Sequence, residues 1–330
     1  MNKILVTGGA GYIGSFMVRE LKSKGFDVVI LDNLSQGHTQ AVKDFRLERI
    51  DLVTEKEKLE KLFSKEKFDG VVHMASFIQM GESYKDPAKY YRNNVVGFMN
   101  LLDSMKNNDV KNIIISSSAG VYGNPTRVPI EEDDIKNPLN PYGETKYILE
   151  RMLEDYDIAY GIKFMALRYF NAAGAALDGS IGEAHPSESH IIPKIIESVL
   201  KNTEFTLFGD DYKTIDGTCV RDYVHILDLC EAHSMALNSL FDGSKSNFYN
   251  VALGNGYSNK QIIKAVEKIA GKKVNVKIMP RREGDADALF ASNKKIQTEL
   301  NWQPKYGLEE IVGSAFKWHS THPDGYANID

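Results

Sequence analysis

A doubly wound α/β fold, in which helices cover both faces of a parallel sheet, is what this sequence predicts from three observations. Short β-branched runs alternate with longer helical patterns through the first half of the chain. The first of those runs ends in a glycine-rich turn, and 330 residues leave room for a smaller second domain beside the sheet.

The runs at 4–7, 28–31, 71–73, 113–116 and 164–167 are the strands of that sheet, each a nearly continuous apolar stretch, as parallel strands buried on both faces require. Between them, residues 12–24, 54–65, 87–106 and 142–156 carry apolar residues at helical spacing. After Asn171 the chain becomes a loop rich in Gly, Ala, Ser and Pro as far as Pro186, and the strict alternation is lost. The expected boundary lies there, giving domains at 1–171 and 172–330. The second contains helices 191–201, 228–240, 258–270 and 308–320 and strands 205–208 and 248–251, some of which return to the main sheet.

Composition narrows the function. Hydrophobic residues make up 42% and charged residues 26% of the chain, and no apolar run approaches the length a bilayer requires. The chain passes from Met1-Asn2-Lys3 straight into strand residues, so a cytoplasmic protein is expected. The net charge of -5, with Lys and Arg scattered, gives no footprint for nucleic acid. Cys219 and Cys230 fit no metal-ligand spacing and are expected to be reduced.

The first strand runs into Thr7-Gly8-Gly9-Ala10-Gly11-Tyr12-Ile13-Gly14, and a helix pattern follows at once. Glycines 8, 11 and 14 allow a tight turn, backbone approach to a pyrophosphate and close packing of helix on strand, the signature of a Rossmann-type dinucleotide site. Asp32 closes the second strand 18 residues beyond Gly14, where a carboxylate accepts hydrogen bonds from ribose hydroxyls. It also repels a 2′-phosphate, and no Arg or Lys follows before Lys43, so the expected cofactor is NAD rather than NADP. Asp51-Leu52, after a short apolar strand, is placed to meet the adenine. His73 reads as a core histidine.

Tyr142 and Lys146 stand one helical turn apart and project from one helix face. A neighbouring ammonium and a positive nicotinamide ring both favour a phenolate, which an isolated tyrosine, with a pKa of about 10, does not form at neutral pH. Ahead of them Ile113-Ile114-Ile115 ends in Ser116-Ser117-Ser118, at the carboxyl edge of the sheet where ligands bind in this architecture.

The combination of residues 7–14, 116–123 and 141–146 resembles the extended short-chain dehydrogenase/reductase family. Leu167-Arg168-Tyr169-Phe170-Asn171, the stretches 208–212 and 216–223, and Pro280-Arg281-Arg282-Glu283-Gly284-Asp285 resemble its nucleotide-sugar 4-epimerase branch across essentially the whole chain. The resemblance implies an NAD-dependent enzyme, most often a homodimer, that interconverts UDP-galactose and UDP-glucose at C4 through a 4-keto intermediate. It makes Tyr142 the base, Lys146 its electrostatic partner, and Ser118 the donor to the sugar hydroxyl. It assigns the cofactor to Gly8, Gly11, Tyr12, Ile13, Gly14, Asp32, Asn33, Asp51, Leu52, Asn93 and Tyr169, together with Tyr142 and Lys146. It assigns the UDP-sugar to Asn171, His190, Ile191, Phe208, Arg221, Arg282, Asp285 and Leu289, besides Ser118 and Tyr142. Dimerisation is expected through helices around 94–106 and 147–156.

Two positions depart from the pattern. Ile78 stands where some relatives have a lysine near the cofactor, and Leu289 is intermediate between the bulky and small residues that exclude or admit N-acetyl sugars. Related 4,6-dehydratases carry an Asp-Glu pair after the strand-end hydroxyl, whereas Ser118 is followed by Ala119-Gly120. UDP-N-acetylhexosamine, UDP-pentose and UDP-uronate epimerases stay open as alternatives, as do a decarboxylase and a non-catalytic NAD-sensing protein.

Overall fold

The computed structural model describes residues 1–185, 188–282 and 285–327. Pro186, Glu283 and Gly284, which belong to the loop and the motif read above, lie outside them. The chain forms two units: residues 1–124, 135–168 and 230–249 make the first, and residues 125–134, 169–229 and 250–330 the second. The change of unit after Arg168 lies close to Asn171.

The first unit is built on a seven-stranded sheet in the order Asn247–Asn250, Lys163–Arg168, Asn112–Ser116, Gly70–His73, Lys3–Thr7, Asp27–Asp32, Arg46–Arg49. The pairings from Lys163–Arg168 to Arg46–Arg49 are all parallel. Inner strands such as Ile4-Leu5-Val6 and Ile113-Ile114-Ile115 are fully buried, which is why they read as unbroken apolar runs. Leu101, Leu102, Leu149 and Leu153 pack on one face of this sheet with Phe63 and Phe98.

The strand before Asp51 is not apolar as expected. It is Arg46–Arg49, at the sheet edge, with both arginines exposed. An edge strand has one side to keep unattractive to other strands, and charge does that. Arg46 bonds both Glu48 and Glu66.

The helix expected at 87–106 is also more complex. Pro87–Tyr90 and Gly97–Asn107 are α-helical, but Tyr91–Val96 between them is a π-helical turn. Such a turn admits an extra residue, which apolar spacing alone does not signal.

In the second unit Asn171–Ala173, part of the expected loop, pairs in parallel with Tyr223–His225. Glu204–Phe208 pairs with Asn275–Met279, and Val220–Arg221 lies between Tyr257–Ser258 and Ala288–Leu289. Helices Ile191–Lys201, Asn259–Ala270 and Leu308–Thr321 bury Ile195, Ile196, Ile262, Val266, Ile311 and Val312 in one core. Among the described residues no helix is long and apolar enough to cross a membrane. Cys219 and Cys230 are buried free thiols.

Candidate active site

The glycine turn after the first strand lines a cleft in the first unit. Gly8 has φ +70°, and a Cβ there would come 2.5 Å from the backbone nitrogen of Ala75. At Gly14 a Cβ would meet the carbonyl oxygen of Gly8 at 2.1 Å. Both glycines are therefore required for the helix Tyr12–Ser23 to start so close to the strand. Gly8, Gly11, Asp32, Asn33, Leu52 and Asn93 line the cleft together. Asp51 is joined to it by the bond from Asn33 Nδ2, 2.8 Å. Tyr12, Ile13 and Gly14 form the helix start behind the turn, and Tyr169 belongs to the second unit.

Asp32 Oδ2 accepts from Ala10 N–H and Oδ1 from Leu34 N–H, at 3.0 and 2.8 Å. Each oxygen keeps a lone pair for a ribose hydroxyl. Burial raises the Asp32 pKa above its ordinary value, and the two backbone bonds oppose that rise. His73 is a core residue, held by Thr7 Oγ1 at 2.7 Å and pushed down to about 3 by burial and by the charge of Lys146.

The second constellation sits where Asn112–Ser116 ends. Asn140 caps the helix Pro141–Tyr160 by accepting from Gly143 N–H, and Pro141 supplies the fixed φ of the first helical position. Tyr142 thus lies in the first turn and Lys146 one turn on. Ser118 Oγ accepts from Gly120 N–H at 3.0 Å, and the Ser118 side chain is hydrogen-bonded with the Tyr142 phenol. Lys146, 1% exposed, donates from Nζ to the Ser116 carbonyl at 2.8 Å, and its Nζ lies 5.9 Å from the centre of the Tyr142 ring.

Burial raises the phenol of Tyr142 above its ordinary value, opposed by the Ser118 hydrogen bond. Burial also brings Lys146 down to about 7, opposed by Glu150. Desolvation is thus the largest influence on both groups.

In the second unit, Arg221 donates to the carbonyls of Val220 and Ala286, both at 2.9 Å, and its outer nitrogen lies 3.4 Å from Asp285. Leu289 pairs with Arg221 across neighbouring strands. The Arg282 guanidinium lies 4.1 Å above the Phe208 ring, and Tyr212 reaches Asp285 at 3.4 Å. Five of the expected nucleotide residues are thus drawn together, with arginines able to fork onto phosphate. Asn171 is tied to the Asp222 carbonyl at 2.7 Å. His190 and Ile191 stand at the start of helix Ile191–Lys201, His190 among acidic side chains.

Residues 4–252 match the model of the NAD dependent epimerase/dehydratase family. The chain belongs to that family.

Among its relatives in the family, the UDP-glucose 4-epimerase of Lacticaseibacillus casei is 46% identical over 327 residues, 98% of this chain and 99% of the relative. The crystal structure of UDP-glucose 4-epimerase from Brucella ovis in complex with NAD superposes with a TM-score of 0.93 at 41% identity, over 96% of this chain and 98% of that one. The Bifidobacterium longum UDP-glucose 4-epimerase in complex with NAD+ and UDP gives 0.91 at 35% identity, over 98% and 100%.

Within this epimerase/dehydratase chain the structure adds residues that sequence reasoning did not single out. Asn94, in the π-helical turn, accepts from Phe77 N–H and donates to Phe77 O and to Thr145 Oγ1. It ties the cleft-lining segment Met74-Ala75-Ser76-Phe77 to the turn carrying Tyr142. Gln36 and Gly37 line the cleft from the loop after Asp32. Beneath Lys146, Glu150 accepts from Ser117 Oγ at 2.6 Å and from Arg168. Buried Glu and Arg at helical and strand spacing were the available signal for that last group.

Proposed function

We propose that the chain interconverts UDP-galactose and UDP-glucose by inverting C4 of the hexose with NAD as resident cofactor. The observation carrying this reading is the Ser118–Tyr142 hydrogen bond above a buried Lys146, on the sheet edge that also bears the glycine turn and Asp32. The cradle fits NAD, since both glycines admit no Cβ and Asp32 has acceptor capacity for ribose. Gly8, Gly11, Asp32, Asn33 and Asn93 would hold it. When bound it supplies the acceptor, and afterwards the donor, of the hydride at C4.

The chain's own groups move the proton. Tyr142, as its phenolate, takes the proton of the 4-hydroxyl at its phenol oxygen and later returns it. Ser118 Oγ orients the same sugar oxygen, and Lys146 holds positive charge near the phenol. Arg221, Arg282 and Asp285 bind the UDP moiety, so that binding energy far from C4 retains the 4-keto sugar while it presents its other face. Ala119 and Gly120 offer no acid or base for the elimination that a dehydratase performs.

The working unit proposed is a homodimer formed through the faces bearing Tyr91, Val96, Met99, Ile158 and Tyr160, all exposed apolar side chains. Light scattering would give twice the chain mass; a monomer at working concentration overturns it.

The test of activity is turnover of UDP-galactose to UDP-glucose by purified protein, with and without added NAD+, repeated with UDP-N-acetylgalactosamine to settle the role of Leu289. Bound NAD without turnover of either sugar would remove the reading.

A further inference from the structure

Asp222 follows Arg221 in the chain and is 1% exposed. A carboxylate so deeply buried is costly to keep charged, and the bonds it makes must account for its being there. Those bonds reach three separate segments of the second unit. Its backbone N–H donates to the Leu289 carbonyl at 3.1 Å, and its carbonyl accepts from Asn171 Nδ2 at 2.7 Å. Of the side-chain oxygens, Oδ1 accepts from Leu253 N–H at 3.0 Å and Oδ2 from Ala291 N–H at 3.2 Å. The N–H groups of Gly254 and Tyr223 add to the set, and all four oppose the burial that pushes this carboxyl up to about 7.

The contacts share one geometry. Ala288–Leu289 runs parallel to Val220–Arg221, with Leu289 opposite Arg221. The paired strands end there, and the Asp222 carboxylate continues their bonding by taking the Ala291 N–H. Leu289 is therefore held at its own carbonyl by the Asp222 backbone and two residues later by the Asp222 side chain. From another side, Ile130 donates to the Phe290 carbonyl at 2.9 Å and accepts from Ser292 N–H at 2.8 Å. The wall that bears Leu289 is clamped between the two.

An amide in place of the carboxylate could not do the same. Two carboxylate oxygens offer about four lone-pair sites, whereas an Asn side chain has one acceptor oxygen and an NH2 that would confront an N–H donor. A buried backbone N–H left without an acceptor drives its segment to move until it finds one. Among the described residues the carboxylate's hydrogen-bond partners are backbone N–H groups, so the work of this charge is to order backbone.

We infer that Asp222 is the positioning residue of the nucleotide-sugar site: by fixing Arg221, Leu289 and Asn171 relative to one another, it sets the affinity for the UDP moiety. It touches no reacting atom. The inference rests on the UDP-sugar reading proposed above.

The experiment titrates full-length wild type and Asp222→Asn with UDP by calorimetry and measures KM and kcat for UDP-galactose, well below the unfolding temperature of both. The variant should bind UDP at least tenfold more weakly and raise KM by a similar factor while kcat stays within threefold, the pattern of lost uniform binding. Ser314→Ala is the control, since it removes a buried acceptor of another loop N–H, that of Ala175, in the same unit. Its UDP affinity should match wild type. UDP bound by Asp222→Asn as tightly as by wild type, an equal weakening in Ser314→Ala, or a loss confined to kcat overturns the inference. Wild type that binds UDP yet turns over no UDP-galactose fails the epimerase reading alone, and wild type without affinity for UDP overturns both. Should Asp222→Asn not fold, amide hydrogen exchange of the wild type decides. Leu253 and Ala291 amides protected before UDP is added support a wall set in advance; amides that exchange freely until UDP binds overturn it.

Discussion

Arg168 grips Glu150 through two hydrogen bonds of 2.8 and 2.7 Å, one helical turn beyond Lys146, with both side chains 2% exposed. The pair is a buried counter-charge beneath the lysine, and Tyr122 and Ser117 complete its hydrogen bonds. Arg168→Leu leaves the carboxylate buried and unpaired, and should cost about 3–5 kcal/mol of unfolding free energy. Arg168→Leu/Glu150→Leu should recover part of that loss. Urea unfolding of both variants checks the order; an Arg168→Leu protein as stable as wild type contradicts it.

Lys146 makes stability depend on pH in an uncommon direction. Burial lowers its pKa to about 7, below the unfolded value of about 10.4. Below pH 7 both states carry the proton and the full cost of the buried ammonium is present. Between pH 7 and 10 the folded state releases the proton first, so the contribution of this group to stability rises with pH. Cofactor-stripped wild type, compared with Lys146→Met across pH 6.5–9, should gain relative stability as pH rises. A pH-independent difference would refute the shift.

Tyr142→Phe keeps the ring and removes the proton carrier. Turnover should fall by roughly 10²–10⁴, the range for losing a general base. Cofactor content, measured after denaturation, should stay near wild type, because Gly8, Gly11, Asp32, Asn33 and Asn93 are untouched and the ring of residue 142 is kept. Full turnover by this variant would remove Tyr142 from the chemistry.

Gly14→Ala forces a methyl group against the Gly8 carbonyl, at 2.1 Å in the present backbone. The first turn of helix Tyr12–Ser23 must move, and the cleft with it. NAD retention through gel filtration should drop at least tenfold while Gly25→Ala, where a Cβ meets nothing within 4 Å but φ is +86°, should lose only stability. Equal cofactor retention in the two variants would show that the turn does not shape the site.

Much of this was written in local pattern. Thr7 to Gly14 and Asp32 were legible because strand, glycine turn and strand-end carboxylate follow each other in a fixed order. Tyr142 and Lys146 were legible because one helical turn fixes their relation. The charged edge strand Arg46–Arg49 was misread, since an edge position is a property of the finished sheet. The desolvation of Tyr142 and Lys146 has no signal in local spacing, since it depends on what the rest of the chain piles over both groups.

The sequence by itself therefore determined the repeating strand-helix order, the glycine cradle and the one-turn spacing of Tyr142 and Lys146, all of which depend on neighbours within a few residues or one βα unit. Only the tertiary structure decided that Asn94 ties Phe77 to Thr145, that Glu150 and Arg168 meet under Lys146, and that residues 230–249 join the first unit. Those are contacts between segments distant in the chain. Burial and charge at them are set by packing, which no local spacing encodes.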